Sequence, residues 1–253
     1  MKKVLTAALI CAASSFAAWD YFPVIEYGKG EAKINFEQSR QGDDNGGGFG
    51  FKTRYSPLAN LELTSVYEGD GVGNYVIGAR YQVIPVLSGG VDVGFPIGGY
   101  LRLQGYGGAD VAIWSFTPNV QFSMPLSEAL VLGSNAQLSI YTEDSDTKAK
   151  PGMDLSAGAE ADFTIGKSLI WLSFTLNTGL TSIQIDGKVP KGADGKDIKL
   201  KDELRGLELS PALGYLANVG NLSLGTSVAL QFGKDAGHEN FNTILGIDFS
   251  VKF

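Results

Sequence analysis

Sulfur and histidine are scarce in this chain of 253 residues, which holds one cysteine, Cys11, and one histidine, His238. A single cysteine excludes an intramolecular disulfide and any thiolate-rich metal centre. A single histidine leaves no histidine cluster to hold a catalytic metal. Bases are outnumbered, with 20 Lys and Arg against 27 Asp and Glu and a net charge of −7. That balance argues against nucleic acid as a partner, which would favour a basic face. Long apolar runs are missing as well. Beyond residue 17 no stretch approaches the roughly 18 consecutive apolar residues of a membrane-spanning helix.

The amino end carries the one apolar run. Met1-Lys2-Lys3 is a positive n-region, Val4 to Ala13 is a short apolar segment, and Ser15-Phe16-Ala17 is a small-x-small cleavage site. The expectation is a cleaved signal peptide over residues 1–17, which removes Cys11. Ile10 before that cysteine is too bulky for a lipoprotein box. An exported chain without cysteine must draw its stability from a hydrogen-bonded sheet and packing. Residues 18–29 are expected to form an N-terminal periplasmic segment or a small plug.

What remains abundant is alternation. Side chains point to opposite faces of a strand in turn, and two-faced segments recur along residues 30–253. Ala32, Ile34 and Phe36 oppose Glu31, Lys33 and Glu37; Phe49, Phe51 and Tyr55 oppose Lys52 and Arg54. Leu61, Leu63 and Tyr67 oppose Glu62 and Glu68, and Tyr75, Ile77 and Tyr81 oppose Arg80. Val91, Val93 and Phe95 face away from Asp92. The pattern continues through Phe116–Met124, Leu130–Ile140, Leu155–Ile165 (with Glu160 and Asp162 on the polar side) and Ile170–Asn177. A weaker segment near Leu207 to Tyr215, containing Glu208, is interrupted by Pro211. Leu222–Phe232 and Phe241–Phe253 complete twelve segments. Connections after the even segments are short, and those after the odd ones, such as Gln41 to Gly47 and Pro96 to Ile113, read as longer and polar.

The last segment has Phe241, Leu245, Ile247, Phe249, Val251 and Phe253 on one parity, and Asp248 and Lys252 on the other, with Ile244 its only apolar intruder. A two-faced strand ending on a terminal aromatic resembles the closing strand of bacterial outer-membrane β-barrels of the small porin and solute-channel type. The resemblance implies an all-β fold, a closed antiparallel transmembrane barrel of twelve strands with both termini periplasmic. It implies that the apolar face meets lipid and lipopolysaccharide, and that Phe249, Val251 and Phe253 form the signal for the barrel-insertion machinery. The function implied is passive diffusion of a small polar or weakly cationic solute, with no enzyme activity and no cofactor. The alternatives are a structural or adhesive barrel with a closed, salt-bridged lumen and, more distantly, a lipid hydrolase.

With the apolar face outward, the charges named above line the lumen: Glu31, Lys33, Glu37, Lys52, Arg54, Glu62, Glu68, Arg80, Asp92, Glu160, Asp162, Glu208, Asp248 and Lys252. On the later segments the inward residues are small or amide-bearing, which reads as an open half of the wall. In the loop from Pro96 to Trp114, Tyr100, Arg102, Tyr106 and Asp110 either form a constriction at the mouth or belong to an extension of the flanking strands. A hydrolase would need a Ser–His pair, and no serine neighbours His238. Asp43-Asp44-Asn45-Gly46 and Glu143-Asp144-Ser145-Asp146 lack the spacing of a calcium loop, so no metal site is expected. Gly71-Val72-Gly73 and Gly46-Gly47-Gly48 read as turns, and Asp186 to Arg205 as an exposed loop.

Overall fold

The computed structural model describes residues 24–41, 44–69, 74–96, 100–102, 108–110, 113–143, 145, 148–150, 152–181, 184–185, 207–233 and 242–253. Sixteen strands occur among them. They are β1 (Gly30–Gln41), β2 (Asp44–Leu58), β3 (Leu61–Gly69), β4 (Asn74–Ile84), β5 (Leu87–Pro96), β6 (Tyr100–Arg102), β7 (Gly108–Asp110) and β8 (Ser115–Pro125). There follow β9 (Leu130–Tyr141), β10 (Ala149–Lys150), β11 (Met153–Ile165), β12 (Ser168–Gly179), β13 (Gln184–Ile185), β14 (Glu208–Val219), β15 (Leu222–Gly233) and β16 (Asn242–Lys252).

Twelve of these strands form one closed antiparallel barrel in the order β1-β16-β15-β14-β12-β11-β9-β8-β5-β4-β3-β2. Closure matters physically because no edge is left with unpaired backbone groups, the condition for crossing hydrocarbon with strands. The seam joins the two ends of the chain: Ala32 pairs with Val251 and Phe36 with Ile247. It is completed by reciprocal bonds in which Gly30 N–H donates to the Phe253 carbonyl at 2.8 Å and Phe253 N–H to that of Gly30 at 3.0 Å. The Phe253 ring occupies the place where a side chain on Gly30 would go.

The barrel is inside out relative to a soluble fold. Ile34, Phe36, Leu63, Ile77, Phe122, Leu172, Phe174, Leu213, Leu245, Ile247 and Phe249 are exposed, whereas the buried side chains are mostly polar. Among the described residues the only buried apolar side chains are Trp171, Ala212, Ala229 and Ile244. Aromatics collect on the outer surface: Phe49 lies 5.6 Å from Tyr67, and Phe95 contacts Tyr75 at 6.5 Å and Trp114 at 4.8 Å between ring centres. Such clusters suit an interfacial girdle, where a ring can be half apolar and half wet.

One end of the barrel carries both termini and the tight connections. Three of those turns need a left-handed backbone, supplied by Asn60 (φ 65), Gly166 (φ 62) and Gly220 (φ 63), residue types that accept positive φ most readily. At the other end the contrast in loop length is weaker than the sequence suggests. β1 runs to Gln41 and β2 starts at Asp44, so the first connection there is residues 42–43. Gly46, Gly47 and Gly48 are therefore not a turn; they pair with Ser39, Gln38 and Glu37 as extended strand. Glycine tolerates a ladder whose partner strand supplies the hydrogen bonds.

Pro211 does not end β14 either. The pairing with β15 omits Ser210 and Pro211 and resumes at Ala212–Ala229 in the same register, because proline removes one donor without moving its neighbours. The segment between β5 and β8 holds its own short hairpin, β6 with β7, separate from the barrel sheet. It is not a continuation of the flanking strands. At the same end β10 pairs with β13, tying two connections together. Residues 71–73, 186–205 and the loop bearing His238 lie outside the described residues.

Candidate functional site: the barrel interior

Five adjacent strands build one charged wall. Period-two alternation puts the charges of each strand inward, and antiparallel pairing sets them side by side at about 5 Å spacing. Arg54 on β2 bonds Glu31 on β1 at 2.8 Å and approaches Glu62 on β3 at 3.8 Å. Arg80 on β4 lies 3.7 Å from Glu62 and 3.7 Å from Asp92 on β5. Asp92 in turn accepts a 2.7 Å bond from the Asn119 amide on β8. Across the seam Lys33 meets Asp248 at 3.5 Å. Glu62, only 2% exposed, is the hub. It also accepts the Ile25 N–H at 3.0 Å, which brings residues ahead of β1 against the barrel interior.

The opposite wall has a different chemistry. β2 and β11 are six strands apart in either direction round the barrel. Registers traced from Arg54 through Thr64, Gly78, Asp92, Thr117 and Ser139 end at Asp154. Traced the other way from Gly50, through Asn35, Asp248, Gly225, Leu216 and Leu169, they end at Thr164. The level of Lys52 on β11 therefore falls between these, beside Glu160. Glu160 is buried, and Asp162, two residues on along the same face of β11, is half-buried. The ladder, in which acids and bases alternate, thus faces the acidic Glu160 and Asp162 at the same depth.

Between these walls β8, β9 and β11 present Thr117, Asn119, Asn135, Gln137, Ser139 and Ser156, all half-exposed and on the inward parity. This is the accessible polar strip of the interior.

The residues expected in the lumen sort as follows. Glu31, Lys33, Lys52, Glu62, Arg80, Glu160, Glu208 and Asp248 are buried, and Glu37, Arg54, Asp92 and Asp162 are half-buried on the same faces. Lys252 is exposed, opposite Glu31 near the terminal end. Glu68 belongs to β3, but its side chain is outside the described residues. Tyr100 and Arg102 fall on β6 and Asp110 on β7, while Tyr106 is outside the described residues. Phe249 and Val251 face outward and are exposed.

The half of the wall expected to be open is filled on β12, β14, β15 and β16. Trp171, on the inward parity of β12, packs against Gly214, where any Cβ would overlap its indole. With Ala212, Ala229, Ile244 and the partly buried Leu169 it forms an apolar patch. Several of the small residues that suggested open space are thus the recess that receives this ring. The sequence signal was present: Trp171 shares parity with Ser173 and Thr175. What was missing was the register that sets Gly214 beside it.

An all-β closed barrel with an apolar exterior and a polar, ion-paired interior defines the outer-membrane β-barrel class. Comparison of sequences adds the family. The chain belongs to the family described as "Putative MetA-pathway of phenol degradation", whose model matches residues 19–251. No curated protein matches the sequence. Among solved structures the chain is similar to a KdgM porin at 10% identity and TM-score 0.55, covering 87% of this chain and 99% of that one. The KdgM porin in complex with disordered oligogalacturonate matches with TM-score 0.51 at 10% identity, again over 87% and 99% of the two chains. At such identity the likeness is one of fold.

Proposed function

We propose that the protein is an outer-membrane channel for passive diffusion of a small polar solute, neutral or weakly cationic. In this reading residues 1–17 are removed on export, and the termini and tight turns face the periplasm. The observation that carries it is the inside-out barrel with its half-exposed polar strip along β8, β9 and β11. Solute would pass beside amides and hydroxyls, between the ion-paired ladder and the acidic Glu160 and Asp162, whose charge orients dipolar molecules. Interior acids exceed bases, so anions such as the oligogalacturonate bound by the KdgM relative are disfavoured here. The family's description names phenol degradation, a setting to which a barrel contributes by admitting solute; the chemistry falls to other proteins.

Single-channel recording in planar bilayers tests the proposal. Discrete, long-lived conductance steps from the purified barrel are the expected result. A second reading, a structural barrel with a closed lumen, draws on the nearly complete burial of the Glu31–Arg54–Glu62–Arg80 ladder. It predicts an inserted, folded barrel with no steps at either polarity.

A further inference from the structure

We infer that the lumen carries a binding subsite for a neutral, polyhydroxylated ring, of the saccharide class, on β12, β14, β15 and β16; this rests on the channel reading. The inward residues nearest the loop-bearing end of these strands are Asn177, Glu208, Ser210, Gln231 and Asn242. Glu208 Oε1 accepts from Asn177 Nδ2 at 3.3 Å and from Ser210 Oγ at 3.0 Å. Asn242 Nδ2 donates to Gln231 Oε1 at 2.8 Å.

Two atoms of this group are left over. Gln231, 1% exposed, has an amide nitrogen with no partner among the described residues, and so has the Asn242 amide oxygen. Exchanging O and N in both amides does not remove the deficit. In either orientation one amide spends its oxygen and the other its nitrogen, so one donor and one acceptor stay unspent. A buried polar atom without a partner is destabilising, so a ligand that supplies both partners recovers that loss.

Chemistry narrows the occupant. It must offer an acceptor to one amide and a donor to the other. A carboxylate cannot donate and is repelled by Glu208; an ammonium cannot accept. A hydroxyl does both. Gln231 and Asn242 are paired directly across β15 and β16, about 5 Å apart at the usual strand spacing, so neighbouring hydroxyls along a ring edge match them better than one. Directly below lie Ala212, Ala229 and Ile244, paired across β14, β15 and β16, with Trp171 beside them. These side chains are packed together and buried, so the polar group is bordered on that side by a rigid apolar patch.

The test uses the full barrel and D-glucose, gluconate, glucosamine and phenol as probes, in two measurements: block of ion current, and calorimetric binding in detergent, which does not depend on conduction. Saturable glucose binding is expected, with gluconate at least about tenfold weaker. Gln231→Leu and, separately, Asn242→Ala should each weaken glucose about tenfold or more, as loss of a buried polar partner does, with heat-modifiable mobility confirming a folded barrel. Should one variant fail to fold, the other carries the comparison. Conductance without glucose binding overturns the subsite and leaves the channel standing; binding without conductance does the reverse. Equal binding by glucose and gluconate, a preference for glucosamine or phenol, or unaltered glucose binding in both variants also overturns it.

Discussion

At the scale of single residues, the interior is governed by fit between a large side chain and an absent one. Trp171 keeps its place because Gly214 has no Cβ. Gly214→Ala should therefore cost about 1–3 kcal/mol by overpacking, read as a lowered urea midpoint for unfolding from vesicles. Trp171→Ala in the same chain should recover part of that loss, since contacting residues are non-additive; strict additivity would show that the ring does not rest on this glycine. The inward parity of Trp171 can be read in the sequence from Ser173 and Thr175. Its glycine partner cannot, because that depends on how β12 meets β14 forty residues later. Gln231 is similar: its inward face is legible, its unspent amide is not.

The strands themselves were the most legible level, since alternation of exposed Ile, Leu and Phe with buried Glu, Lys and Ser is a period-two signal that needs no partner. Their ends were less so. Gly46–Gly48 looked like a turn by composition, and only pairing with Glu37–Ser39 makes them strand. Pairing also converts separate charges into the ladder on β1 to β5. Removing the hub with Glu62→Ala leaves Arg54 and Arg80 each with one anchor fewer. A loss of about 3–5 kcal/mol is expected for breaking a buried ionic group in this way, measurable by the same denaturation. On the outer face the expectation reverses. Ile247, exposed near the middle of β16, should tolerate Leu but lose about 2–4 kcal/mol as Arg, the cost of a cation at mid-bilayer. A neutral outcome for Ile247→Arg would contradict a lipid-facing surface.

For the molecule as a whole, the excess of interior acid gives a sign to selectivity. In a salt gradient the reversal potential should show cation preference, and raising the ionic strength should shrink it as screening shortens to a few Å. Glu160→Gln should reduce that preference while leaving the opposite ladder intact. Anion preference would remove the electrostatic argument. The sequence could supply the inventory of these charges, but their opposition across the barrel emerges only from the stagger of twelve strands.

The seam between β1 and β16 sets a timetable. Ala32 meets Val251, and Gly30 exchanges hydrogen bonds with Phe253, so the contacts that close the ring join residues more than two hundred positions apart. Closing such a loop costs entropy before any of its bonds form, and chains dominated by distant pairings fold slowly. The last of the twelve barrel strands is thus indispensable to the first. Until it docks, neither edge of the sheet is protected, and the half-made barrel is a sticky, short-lived species. A factor that bound Phe253 early would spare the chain that interval.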